Sequence, residues 1–186
     1  MIPAVRARPL ILGVLGGIAS GKSEVARLLA GKEGVVLAAD ELVQGMLDRP
    51  DLQVHLLELF GAPAVRPDGK TDRRVLAERI FRDAETRKRL ESWIHPLVRA
   101  KIRAGLGEAE RRGVPRVVLD VPLLLENDAE HGLARECDHL IFVELSDAKR
   151  EERARTSRAW PAGEVARREA AQWPLAEKRR RARWVI

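Results

Sequence analysis

Leu10–Ser23 reads LILGVLGGIASGKS, and this stretch decides the fold. Leu10–Leu15 is a continuous apolar run of strand length, and a glycine-rich turn follows at once. Beyond the turn, EVARLLA at 24–30 has helical spacing, so the order is buried strand, loop, helix. Residues 16–23, GGIASGKS, satisfy G-x-x-x-x-G-K-[ST] in the one context that gives that pattern meaning. Glycines at 16, 17 and 21 let the backbone turn tightly and approach an anion, and the N–H groups and dipole of the next helix favour negative charge there. The stretch Gly17, Ile18, Ala19, Ser20, Gly21, Lys22 and Ser23 is therefore expected to bind ATP. Lys22 would bridge the β and γ phosphates, and the Ser23 hydroxyl would ligate Mg²⁺.

Working outward, Val35–Ala39 (VVLAA) reads as a second buried strand that delivers Asp40 at its carboxyl end. Arg116–Asp120 (RVVLD) and His139–Glu144 (HLIFVE) are two more, and Trp184–Ile186 begins a last one. Strands alternating with helices predict an α/β, three-layer P-loop kinase-like fold with a parallel central sheet. Between the strands, 53–107 carries helical periodicity, interrupted by a turn at 62–71 and expected to bend or restart near Pro96. Ser146 offers a helix N-cap to 146–158, and 162–182 is again helical with a break at Pro174.

Ligands in such sheets lie beyond the carboxyl ends of the strands. Asp40 is placed there to accept the proton of an attacking hydroxyl, to orient that hydroxyl, or to hold Mg²⁺ through water; it also suits the N-cap of a helix starting at Glu41. Asp120 closes the third strand, where it could support a metal-bound water. Pro122 and Leu123–Leu125 suggest a tight turn into an apolar wall, with Glu126 at its end.

Composition narrows the class. At 186 residues, with 45% hydrophobic and 33% charged residues, the chain fits one globular unit. The single cysteine, Cys137, excludes an intrachain disulfide, and the histidines at 55, 95, 131 and 139 show no metal-ligand spacing. No apolar segment approaches the roughly 20 residues that cross a bilayer, so the chain reads as soluble and cytoplasmic, with no membrane partner. Its 34 Lys+Arg against 28 Asp+Glu give a net charge of +6, which suits anionic partners without choosing among them. The arginine-rich last third lacks interleaved aromatic residues, so a solvated basic surface is favoured over nucleic-acid binding. The tryptophans at 93, 160, 173 and 184 read as packing.

Further elements stand in order along the chain: AAD at 38–40, FG at 60–61, DGKTDRR at 68–74, HP at 95–96 and DVPLLLE at 120–126. Together with GGIASGKS they resemble the dephospho-CoA kinase family from about Leu10 to Ile186. The resemblance implies transfer of the ATP γ-phosphate to the ribose 3′-hydroxyl of dephospho-CoA, with ATP and Mg²⁺ required and a monomer or weak oligomer as the assembly. It implies a single unit with a core over about 8–50, 113–149 and 173–186, a helical substrate-binding insertion over about 51–112 and a lid over about 150–172. Asp40 becomes the general base, with Lys22 and a lid arginine, best Arg153, as the other catalytic groups. Arg73, His95, Leu123 and Glu126 join Asp40 on the acceptor side, with Ser23 and Asp120 at the metal. Arg73 equally suits a cap on the preceding turn, and His95 equally suits a solvent-exposed or core-packed place with no role in binding.

Three positions depart from the family pattern. Ala38 stands where the family commonly has an aspartate, and Ser157 where it usually has a second lid arginine, with Arg155 and Arg158 beside it. Past the position of Ile186 the family usually continues with an Asn-containing turn bordering the adenine and a last helix. Two other readings share the loop: a kinase of another nucleoside, nucleotide or small metabolite, and a P-loop ATPase that binds nucleic acid.

Overall fold

The structure, a computed structural model, describes residues 8–186. Strand β1 (Leu10–Gly16) runs into the glycine loop and then helix α1 (Lys22–Ala30), and β2 (Val35–Ala38) follows. Helices α2 (Ala39–Met46), α3 (Pro50–Phe60), α4 (Arg73–Arg82) and α5 (Ala84–Arg111) come next, with a 3₁₀ turn at Ala62–Ala64. After β3 (Arg116–Asp120) come the short helices α6 (Asp128–His131) and α7 (Leu133–Glu136), then β4 (His139–Val143). Helices α8 (Asp147–Arg158), α9 (Glu164–Glu169) and α10 (Leu175–Arg181) lead to the short edge strand β5 (Trp184–Val185).

All five strands are parallel, in the order β2-β3-β1-β4-β5. Leu12 lies opposite Val118 on one side of β1 and opposite His139 on the other. Every residue of β1 and β3 after the first is buried, which requires cover on both faces and gives the expected three layers. Val117, Val118 and Leu119 are fully excluded from solvent, each contributing about 1.5–3 kcal/mol of burial. Under α1 the core is Leu12, Val14, Val118 and Ile141 against Ala26 and Ala30, small residues that let the helix lie close.

The chain forms two compact units. The first holds the sheet, comprising residues up to Ala38 and Gly105–Ile186; the second is Ala39–Ala104. The helical unit thus begins where β2 passes without a loop into α2, against the 51–112 expected from the sequence. Within it, Leu52, Leu56 and Phe60 form one buried stripe on α3, and Leu90, Ile94 and Val98 another on α5. Thr71 is buried, donating its hydroxyl to Leu47 O at 2.6 Å and its amide to Asp48 at 2.9 Å. These bonds pin the 62–71 turn to the end of α2.

One expectation is corrected. Helix α5 runs from Ala84 to Arg111 through Pro96 without restarting. Proline removes one helical hydrogen bond at a cost of about 3 kcal/mol, and the stripe Leu90, Ile94, Val98 and Ile102, buried on both sides of Pro96, offsets it. Ser146 takes the predicted N-cap place of α8, though its side chain makes no capping bond.

Packing within the sheet is close at Gly13. A Cβ there would lie 2.7 Å from Leu140 Cδ2, 2.8 Å from Cys137 Sγ and 2.9 Å from Leu124 Cδ2. Gly13→Val should destabilise the fold by at least about 1–3 kcal/mol, read as a lower urea midpoint at unchanged slope. Burial also pushes the Cys137 thiol up to about 12, so iodoacetamide at pH 8 should leave it unmodified in the native protein and alkylate it in urea.

Candidate active site

Between β1 and α1 the backbone makes the turn that the glycines permit. Gly21 sits at φ 94° as the N-cap of α1, and Gly16 at φ 149° with Val143 O only 2.7 Å from where a Cβ would stand. Ala19 takes φ 60°, an uncommon left-handed conformation for a residue with a side chain. Lys22 Nζ donates to Gly17 O at 2.8 Å and Gly16 O at 3.2 Å. Burial lowers the Lys22 pKa below the ordinary lysine value, with the carboxylate of Asp120 opposing that shift. Asp120 is buried at the carboxyl end of β3, and Ser23 is exposed in the first turn of α1.

Helices α8 and α9 supply side chains to the outside of this loop. Arg153 Nη1 donates to Ser20 O at 3.2 Å, so of the arginines offered by the sequence this one reaches the loop. Ser157 bonds back to Arg153 O within its own helix, and Arg158 stacks over the Trp160 ring at 4.8 Å. Two residues not singled out in the sequence are also here. Glu169 accepts the Ile18 amide proton at 2.6 Å, and the buried Arg150 pairs with Glu169 while donating to Asp147 at 2.7 Å. The Ile18 N–H, expected to face ATP, is thus engaged by a carboxylate. Nothing in the local sequence marks this pair, because its members come from different helices and meet a third segment.

Beyond β3, Leu123 adopts φ 55° and is half-buried, turning the chain into Leu124 and Leu125. Glu126, expected on the acceptor side, has partners within the protein. Its carboxylate takes Lys178 Nζ at 2.6 Å and the Trp173 amide at 3.2 Å, and Lys178 also donates to Gln172 at 2.9 Å. Lys178 is almost fully buried, which accounts for a cation needing such a set of acceptors. Next to Gly17, a cavity of about 560 Å³ opens beyond β4, lined by Val143, Ser146, Arg150, Leu175 and Arg179.

The remaining expected residues belong to the helical unit. Asp40 is exposed within the first turn of α2, which starts one residue earlier, so it is not the N-cap. An acidic residue in that turn is favoured by the helix dipole. Arg73 is the first residue of α4, exposed, donating to Gln44 O at 3.3 Å with Asp48 at 3.9 Å. The cap of α4 is Asp72, which accepts from Arg74 N and Val75 N. His95 is exposed on α5. Among the described residues no group of three His, Cys, Asp or Glu could hold a metal.

A parallel sheet whose central strand feeds a glycine loop and a lysine-led helix defines a P-loop nucleotide-binding protein of the kinase type. The family model for dephospho-CoA kinase matches residues 10–186, and the chain belongs to that family, whose members are ATP-dependent phosphotransferases. It is 40% identical to the dephospho-CoA kinase of Symbiobacterium thermophilum, covering 95% of this chain and 72% of that one. To the enzyme of Deinococcus radiodurans it is 37% identical over 99% of this chain and 86% of the other. A crystal structure from Thermus thermophilus superposes with a TM-score of 0.75 at 36% identity, covering 97% and 88% of the chains. Dephospho-CoA kinase from Campylobacter jejuni, at 24% identity and a TM-score of 0.63, shares the fold.

The internal pair gives a test of the site's framework. Lys178→Met should leave Glu126 buried without its partner and cost about 3–5 kcal/mol in chemical denaturation. Combining it with Glu126→Leu should recover most of that loss.

Proposed function

We propose that this chain transfers the γ-phosphate of ATP to the ribose 3′-hydroxyl of dephospho-CoA, giving CoA and ADP in the cytoplasm. The observation that carries this reading is the GGIASGKS loop, folded between β1 and α1 as an anion cradle, in a chain matching the family over residues 10–186. ATP would lay its phosphates along residues 17–23, where Lys22 exchanges the Gly16 and Gly17 carbonyls for phosphate oxygens. That exchange relieves the burial penalty on the ammonium by giving it anions. The cavity beside Gly17 would take the nucleoside end.

A Mg²⁺ ion fits the residues present. Ser23 and Asp120 offer oxygen ligands, the donor type Mg²⁺ takes, with waters and substrate phosphates completing its shell. When bound, it would neutralise charge on the transferring group. Phosphoryl transfer passes through a loose transition state, so positioning and charge neutralisation matter more than a strong base. Asp40 would orient the acceptor hydroxyl and take its proton, Arg153 would turn its side chain from Ser20 O to the transferring phosphate, and the lid over about 150–172 would exclude water. Arg73 and His95, both exposed on the helical unit, would bind the acceptor. Leu123 would form part of the wall, and Glu126 would support the site through Lys178.

Purified protein with ATP and Mg²⁺ should consume ATP only when dephospho-CoA is added, with mass spectrometry showing an acceptor heavier by one phosphoryl group. Acceptor-independent ADP formation would instead favour an ATPase. Asp40→Asn should retain ATP binding while turnover falls about 10²–10⁴-fold. Lys22→Ala should lose about 10²–10³-fold in turnover, and its melting temperature should no longer rise with ATP.

A further inference from the structure

In a trans peptide the C=O and N–H of one plane point in opposite directions, so a bond to either end fixes which way the other faces. Along the loop, several planes are held from outside by side chains. The Gly17–Ile18 plane is fixed at both ends, its carbonyl by Lys22 Nζ at 2.8 Å and its N–H by Glu169 at 2.6 Å. The Ile18–Ala19 plane is held by Arg150 Nη1 on Ile18 O at 3.4 Å, and the Ser20–Gly21 plane by Arg153 on Ser20 O at 3.2 Å. With those carbonyls tied outward, the amides of Ala19 and Gly21 face the other way.

The anchors differ in permanence. Lys22 is a group that a bound phosphate would recruit, and once it leaves Gly17 O the plane keeps two bonds, the Ser20 amide on Gly17 O at 3.3 Å and Glu169 on the Ile18 N–H, of which Glu169 is the shorter and the one supplied from outside the loop. Glu169 is well placed for the task. Its side chain is only 15% exposed, and Arg150, 4% exposed, pairs with it and is itself held by Asp147. Gly17 makes room for both, since a Cβ there would lie 2.6 Å from Arg150 Nη1 and 2.8 Å from Glu169 Oε1.

We infer that Glu169, held by Arg150, is a positioning residue for nucleotide binding that keeps the Gly17–Ile18 peptide in the phosphate-ready orientation after Lys22 turns to the phosphates. The inference rests on the proposed binding of ATP by this loop. Because Glu169 acts on the loop and not on the acceptor, its loss raises the KM for ATP and weakens ADP without altering the KM for the acceptor.

The test is ADP affinity by calorimetry together with steady-state kinetics for three proteins besides wild type. Glu169→Gln keeps an oxygen for the Ile18 amide and should stay within about threefold of wild type, whereas Glu169→Leu should weaken ADP about tenfold or more. Arg150→Met combined with Glu169→Leu replaces the ion pair with apolar volume, restoring stability without the anchor, so ADP should remain about tenfold weaker. Wild-type ADP affinity in that folded double variant would overturn the inference and leave the proposed function standing. A rise in both KM values together would overturn it as well. Failure of wild type itself to bind ADP would overturn the function and the inference together.

Discussion

The nucleotide end of this molecule depends on how β1 ends. β1 lies between β3 and β4 in a fully parallel sheet, so its carboxyl end emerges among neighbours and not at an edge. The chain then has five residues, 17–21, in which to turn from strand to helix, with Val143 O pressed against Gly16 on one side. Within the turn the Ser20 amide bonds to Gly17 O and the Ile18 amide to Glu169, and the first amides of α1 have no carbonyl one turn earlier in the helix to receive them. This turn is where the proposed phosphate site lies, and the charged side chains around it bond to its carbonyls and to the Ile18 amide.

The charge pattern follows from this. Lys22 is drawn into a half-buried position where its ammonium is penalised, and it is satisfied by loop carbonyls and by the field of Asp120. Arg150 and Arg153 approach from α8, each placing a guanidinium on a loop carbonyl. Glu169 accepts the Ile18 amide and pairs with Arg150, so the charges around the loop are balanced in pairs. Behind it, the buried Lys178 with Glu126, Gln172 and Trp173 fastens α10 to the segment after β3.

The strands, the loop and its lysine were readable from the sequence because each is a local pattern. An apolar run bounded by glycine needs no distant partner to be recognised, and GGIASGKS has meaning once a strand precedes it and a helix follows. Arg153 was placed by resemblance and found on the loop. Glu126 was put on the acceptor side by resemblance; only the fold shows Lys178 beside it. Pro96 looked like a break because proline costs a helix one bond, and sequence spacing alone does not weigh that bond against a buried stripe on both sides of it.

By itself the sequence determined the parallel α/β class, the phosphate loop and the family to which the chain belongs, since these rest on periodicity and on motifs whose residues are neighbours along the chain. Tertiary structure decided the strand order, the close approach at Gly13 and the engagement of Glu169, Arg150, Lys178 and Glu126. The physical reason is range. Backbone preference and hydrophobic period act over a few residues, whereas a buried charge takes its partner from whichever segment the packing brings within hydrogen-bond reach.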